Sequence, residues 1–209
     1  MQIQQFGIIN NCFLVKGEAG AILIDTGLYA QREKVFAKIK NEAVTLILLT
    51  HGHRDHTDNA AYFREKLSAP IAMHPADLPI LKDMQASVLH ASALGKQMMK
   101  MTDQKTKKRA FEEFAPDVFL EEGMCLAPYG IAGKITALPG HTAGSVGVFL
   151  DNGTLIAGDA LMHLPFMKTP QIYEEKAELL CSIEKIKKIS PTKIYVGHGY
   201  KINGKRFSK

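Results

Sequence analysis

The hexapeptide His51-Gly52-His53-Arg54-Asp55-His56 constrains this chain more than any other feature, because four of its six side chains can ligate a metal. It directly follows the apolar run at 46–49. In an extended segment residues i and i+2 point to the same side, so His51 and His53 can share one cation. A turn into a helix starting near residues 57–59 then offers Asp55 and His56 to a second cation a few ångströms away. Three further candidates follow apolar runs in the same way: His141, Asp159 and His198. Each is preceded by glycine, which permits close backbone approach at a crowded centre. The set comprises five histidines and two aspartates, enough for two metals that share a carboxylate and leave positions open to solvent.

Those apolar runs are short and rich in β-branched residues. The pattern predicts strands at 11–15, 21–24, 45–49, 70–73, 134–138, 146–150, 154–156 and 193–196. Helical faces appear at 31–40 through Val35, Phe36 and Ile39, at 59–67 through Tyr62, Phe63 and Leu67, and at 174–189 through Leu179, Leu180, Ile183 and Ile186. A mixed α/β domain with sheets inside and helices outside is expected. Residues 75–116 break the rhythm, with no convincing strand and four methionines, Met84, Met98, Met99 and Met101. They read as a helical insertion. Packing in the core or between two copies of the chain is one role for it, and a substrate lid is the other.

A chain of 209 residues holds one such domain, spanning 1–209 with the insertion inside it. With 46% hydrophobic and 22% charged residues, the composition is that of a water-soluble globular protein and excludes disordered and fibrous classes. No apolar run approaches the roughly 18 residues of a membrane span, and the N-terminus lacks the charged start of a signal peptide. A cytoplasmic address without a membrane partner is therefore expected. Cys12, Cys125 and Cys181 form no CxxC pair, and reduced, mostly buried thiols are expected. The net charge of +5 gathers at Lys96, Lys100, Lys105, Lys107, Lys108 and Arg109 and in a tail of Lys201, Lys205, Arg206 and Lys209. No aromatics interleave with these charges, so a solvated helix face and a frayed end are expected rather than a nucleic-acid partner.

On Asp25-Thr26-Gly27, the hexapeptide at 51–56, Pro139-Gly140-His141-Thr142-Ala143-Gly144-Ser145, Gly158-Asp159 and Gly197-His198-Gly199, the chain resembles the metallo-β-lactamase fold superfamily over nearly its whole length. The resemblance implies a four-layer αββα sandwich with the site at one edge of the paired sheets. It implies that His51, His53 and His141 hold one metal, that Asp55, His56 and His198 hold the other, and that Asp159 bridges them. Asp25 would hydrogen-bond a ligand imidazole and fix its tautomer, although an ordinary Asp-Thr-Gly turn is the other reading. The implied cofactor is two zinc ions, with iron or manganese compatible with an all N and O ligand set.

The chemistry expected of such a centre is hydrolysis of an ester, thioester or lactone in a small-molecule substrate, by hydroxide formed between the metals and oriented by Asp55, the catalytic residue. His163 and Tyr200 are candidate substrate contacts, with Lys168, Tyr173 and the insertion as further specificity elements. His74 and His90 fit no ligand position. Several branches of the superfamily depart from this chain. Glyoxalase II enzymes carry a C-terminal helical domain, whereas 11 residues follow His198 here, so that activity is not the one expected. Met162 stands where lactonases carry tyrosine, and Asp159 stands where one β-lactamase branch carries cysteine. Two alternatives remain: a mononuclear iron oxidoreductase of the persulfide dioxygenase type, and a phosphodiesterase.

Overall fold

The apolar runs form two sheets whose inner faces meet. The computed structural model describes residues 1–83, 87, 89–93, 95–97, 100, 110–164 and 170–207. The larger sheet has the order Gln2–Phe6, Cys12–Lys16, Ala21–Ile24, Val44–Leu48, Ile71–Met73 and Val118–Phe119. The smaller has the order Ile202–Asn203, Lys193–Tyr195, Thr154–Ile156, Val146–Leu150 and Gly133–Ala137.

Successive strand residues face opposite ways, and here both faces are buried. Phe13, Val15, Ile22, Ile24, Leu46 and Leu48 point inward and pack on Ile135, Val146, Val148 and Ile156 of the second sheet. Their neighbours Cys12, Leu14, Leu23, Ile47 and Leu49 point outward, onto Val35 and Ile39 of helix Arg32–Ile39 and onto Ala60 and Phe63 of helix Ala60–Leu67. Leu155, Ile194 and Val196 cover the far side with Ile186 of helix Lys176–Ile189. The result is an αββα sandwich. Burial on both faces explains why the strands read as continuous apolar runs rather than as polar–apolar alternation. Helix Lys176–Ile189 starts where the Glu175 side chain accepts from the Ala177 amide, and it stops at Ser190 in the left-handed region with φ 53°.

Register then decides where the polar residues after each strand come together. Ala21–Ile24 runs parallel to Val44–Leu48 with Ile24 opposite Leu48, so Asp25 emerges beside Leu49 and Thr50. Thr154–Ile156 runs parallel to Lys193–Tyr195 with Ile156 opposite Tyr195, so Asp159 and His198 emerge together. The Val146 amide donates to the Thr50 carbonyl at 2.8 Å and ties the two sheets at that edge.

Several expectations need correction. Gln2–Phe6 is a strand in full antiparallel register with Cys12–Lys16; as a half-buried edge strand it carries too few apolar residues to signal itself. The basic tail is not frayed at its start, because Ile202–Asn203 pairs with Lys193 and Ile194 and leads into helix Gly204–Phe207. Lys209 lies outside the described residues. Of the three free cysteines, Cys12 is buried but Cys125 and Cys181 are exposed. In the insertion, Pro75–Asp77 and Leu78–Lys82 are helical and residues 95–97 are again helical. However, His90–Ala91 forms a two-residue strand with Ile172–Tyr173, too short to leave a periodic signal. Met84, Met98, Met99, Met101, Lys105, Lys107, Lys108 and Arg109 lie outside the described residues, while Lys96 and Lys100 are exposed.

Leu46 is fully buried between the sheets, so Leu46→Ala should destabilise the fold by about 2–5 kcal/mol. Chemical denaturation checks this; a loss below about 1 kcal/mol would contradict the packing described.

Candidate metal centre

The seven side chains singled out by the hexapeptide and the three later motifs converge at this sheet edge. His51 follows strand Val44–Leu48, and His53 precedes the helical turn Arg54–Thr57 that carries Asp55 and His56. His141 lies in the loop between Gly133–Ala137 and Val146–Leu150, Asp159 in the 3-10 turn Gly158–Ala160, and His198 in the short strand His198–Gly199. Ligand-capable atoms lie within 4.8 Å of one another in three groups: His51, His53 and His141; Asp55, His56 and His198; and His51, His56 and Asp159. Asp159 thus faces both triads. Its Oδ2 lies 3.0 Å from His198 Nε2 and 3.6 Å from His141 Nε2, and its Oδ1 lies 3.6 Å from His56 Nε2.

What aims the imidazoles is the bond each makes with its other nitrogen. A carbonyl oxygen can only accept, so the contact of His141 Nδ1 with the Ile172 carbonyl at 2.9 Å puts the proton on Nδ1 and the lone pair on the inward Nε2. The Ile9 carbonyl likewise accepts from His198 Nδ1. His56 Nδ1 donates to Asp25 Oδ2 at 2.9 Å. The Thr50 hydroxyl donates to that same oxygen at 2.9 Å, which leaves its own oxygen to accept from His51 Nδ1 at 3.0 Å. Asp25 therefore steers one imidazole of each triad and also takes the Thr50 amide at 2.8 Å. It does so at φ 57°, a left-handed conformation that aspartate tolerates better than most residues. Both readings of Asp25, turn and imidazole partner, describe what it does.

The donor set fits divalent metals. His51 Nε2, His53 Nε2, His56 Nε2 and Asp159 Oδ1 are buried without a hydrogen-bond partner among the described residues, a costly arrangement for polar atoms unless something else meets them. His53 Nδ1 and His141 Nε2 face each other at 2.9 Å, and since His141 Nε2 carries a lone pair, a proton or a cation must sit between them. The charges interlock in the same sense. Burial pushes His56 and His198 down, but for His56 the carboxylates of Asp159, Asp25 and Asp55 outweigh it and hold the group up to about 10. For His198 Asp159 and Asp55 do the same, up to about 9. His53 is lowered to about 3, by burial and then by His141. Burial and then His56 hold His51 well below its usual value. Burial pushes the Asp159 and Asp55 carboxyls up, but the facing imidazoles of His198 and His56 overcome it and keep both below the usual range.

Other contacts at the centre left no sequence signal. Asn10 Nδ2 donates to Asp55 Oδ2 at 2.7 Å, and the Ile9 and Ile172 carbonyls act through backbone, which no motif records. Gly197 is required for space, since a Cβ there would collide with Asp159 Oδ1 and lie 2.8 Å from His56 Cε1. A cavity of about 900 Å³ opens beside the cluster, lined by Ile8, Ile9, Asn10, Leu28, Tyr29 and Arg54 among others. The seven cluster residues do not line it; Asn10, which holds Asp55, is the shared wall. His163 and Tyr200 do not line that cavity; His163 lies opposite Gly199 in the short strand pair that carries His198, its Nδ1 bonds the Tyr200 carbonyl at 3.0 Å, and Tyr200 is 51% exposed. Tyr173 stacks on His90 with ring centroids 6.2 Å apart, His74 caps the turn at Pro75, and Lys168 lies outside the described residues.

Residues 7–198 match the family model described as the metallo-beta-lactamase superfamily. The chain belongs to that superfamily. An uncharacterized protein of Aquifex aeolicus is 32% identical over 72% of this chain and 65% of its own length, so the chain spans just under two thirds of it. The probable metallo-hydrolase YflN of Bacillus subtilis is 26% identical over 89% of this chain and 78% of its own. Among solved structures, TTHA1623 in a di-iron-bound form superposes with a TM-score of 0.72 at 23% identity, covering 98% of this chain and 96% of that one. That likeness concerns the fold.

In the metal-free protein, imidazole NMR titration should find His56 and His198 still cationic at pH 8 and His53 neutral down to about pH 4. Both raised groups stabilise the fold fully below their unfolded value near 6.5, and that contribution is lost as the pH rises through about 9 and about 10. Titration of all three rings near 6.5 would contradict this electrostatic picture.

Proposed function

We propose that this metallohydrolase of the metallo-beta-lactamase superfamily holds two zinc ions and cleaves an ester, thioester or lactone bond in a small molecule. The observation that carries the reading is the convergence of two triads about Asp159, with His51 Nε2, His53 Nε2, His56 Nε2 and Asp159 Oδ1 buried and unpartnered among the described residues. His51, His53 and His141 would hold one metal, Asp55, His56 and His198 the other, and Asp159 both. The all N and O donor set suits zinc and is also compatible with iron or manganese. Two divalent cations there would polarise a carbonyl oxygen and bring the pKa of water from about 15.7 to about 7.

The protein's own groups account for the rest. Asp55 is kept ionised and is oriented by the Asn10 amide, so its Oδ2 is an acceptor for the proton that water gives up and a carrier of that proton to the leaving group. Asp25 and Thr50 keep His56 and His51 from rotating as charge develops, which preserves the preorganised field that stabilises an oxyanion. The cavity beside Asn10 supports a substrate with an apolar acyl part, because Ile8, Ile9 and Tyr29 expose 45%, 64% and 47% of their surface at its mouth, and exposed apolar groups gathered in one place mark binding surfaces.

The test is a panel of chromogenic esters, thioesters, lactones, β-lactams and phosphodiesters against protein of measured metal content. About two metals per chain and chelator-sensitive turnover of an ester, thioester or lactone are expected. His53→Ala and Asp159→Ala should each lose bound metal and more than about 100-fold in kcat/KM. Full hydrolysis by a metal-free variant would contradict the reading, and so would one iron per chain with oxygen uptake. Ile9→Asp should raise KM for apolar acyl substrates about tenfold with little change in kcat; an unchanged KM would remove the cavity from substrate binding.

A further inference from the structure

The two loops that carry the three-histidine triad are joined by a residue outside every motif described above. Asp77 is fully buried, at the end of the 3-10 turn Pro75–Asp77 that continues into helix Leu78–Lys82. Its carboxylate accepts three hydrogen bonds. Oδ2 takes the Gly52 amide at 2.8 Å and the Thr142 hydroxyl at 2.7 Å, and Oδ1 takes the Gly144 amide at 2.6 Å. Gly52 lies between His51 and His53, while Thr142 and Gly144 follow His141. One buried carboxylate therefore holds the hexapeptide loop of the first sheet against the His141 loop of the second.

The glycines of both motifs make room for it. A Cβ on Gly144 would stand 2.6 Å from Asp77 Cγ, and a Cβ on Gly52 would stand 3.0 Å from Ile80 Cβ and 3.3 Å from the Asp77 carbonyl oxygen. A carboxylate taken out of water is costly unless donors surround it, and these three donors belong to the two ligand loops. The burial of Asp77 is thus offset when both loops are in position. We propose that Asp77 is a positioning residue: it sets the separation of His141 from His51 and His53, and with it the geometry and metal affinity of that triad. This rests on those histidines being metal ligands.

Asp77→Asn is the informative variant. Whichever way the amide turns, its NH2 faces a donor, either the Gly144 amide or the pair from Gly52 and Thr142, so one loop is pushed away at almost constant side-chain volume. Zinc is titrated into metal-free protein against a chromogenic chelator, the cobalt-loaded absorption spectrum is recorded, and thermal midpoints are measured without metal. Leu126→Ala, a core truncation, serves as the control for instability alone.

Asp77→Asn should weaken one metal site about 10–100-fold and shift the cobalt bands, while Leu126→Ala binds zinc as the unaltered chain does. Thr142→Val removes one of the three donors and should weaken the same site less; it carries the test if Asp77→Asn does not fold. Unchanged zinc affinity and cobalt spectrum in the Asp77 and Thr142 variants would overturn the proposal, as would an equal loss in Leu126→Ala. An unaltered chain that takes up no metal would overturn the metal-centre reading itself. Normal uptake with an indifferent Asp77→Asn would overturn this proposal alone.

Discussion

The centre depends on what each imidazole does with the nitrogen that faces away from it. A histidine ring on a loop can rotate and exchange its proton between two positions, and either change would turn a lone pair into an N–H. Here four rings are held at Nδ1: His141 and His198 by the backbone carbonyls of Ile172 and Ile9, His56 by Asp25, and His51 by a threonine hydroxyl already committed to Asp25. Each of these partners keeps an N–H on Nδ1 and turns Nε2 inward, where it is a lone-pair donor once the ring is neutral. The orientation of the cluster's rings is therefore set by hydrogen bonds that lie outside it.

The fold supplies those partners through register. Parallel pairing of Ala21–Ile24 with Val44–Leu48 delivers Asp25 beside Thr50, and parallel pairing of Thr154–Ile156 with Lys193–Tyr195 delivers Asp159 beside His198. Both pairs end at the same edge, where the carboxyl ends of strands gather polar loops as they do in other α/β sheets. The two sheets contribute unequal chemistry: the first brings a contiguous turn with four candidate ligands, the second three isolated residues. Contacts that cross the gap, such as Val146 to Thr50 and those of Asp77, keep the halves in step.

Much of this was legible in the residues. Eight strands and three helices follow from runs buried on both faces or on one stripe, and the seven cluster residues follow from motifs placed just after those runs. What stayed hidden has physical reasons. Gln2–Phe6 carries the mixed polarity of an edge strand. His90–Ala91 is two residues long. The Ile9 and Ile172 carbonyls belong to the backbone, which carries no side-chain identity to read. Asp77 looks like any acidic residue of a helical turn until Gly52 and Gly144 are seen on either side of it, and the cavity arises from loops at 7–10 and 28–31 that meet in the folded chain alone.

The most direct test of the central claim is an anomalous difference map from crystals grown with zinc. Two peaks about 3.5–4 Å apart are expected, one among His51, His53 and His141 and one among Asp55, His56 and His198, with Asp159 between them. Peaks bound elsewhere on the chain, or none within this cluster, would contradict the account.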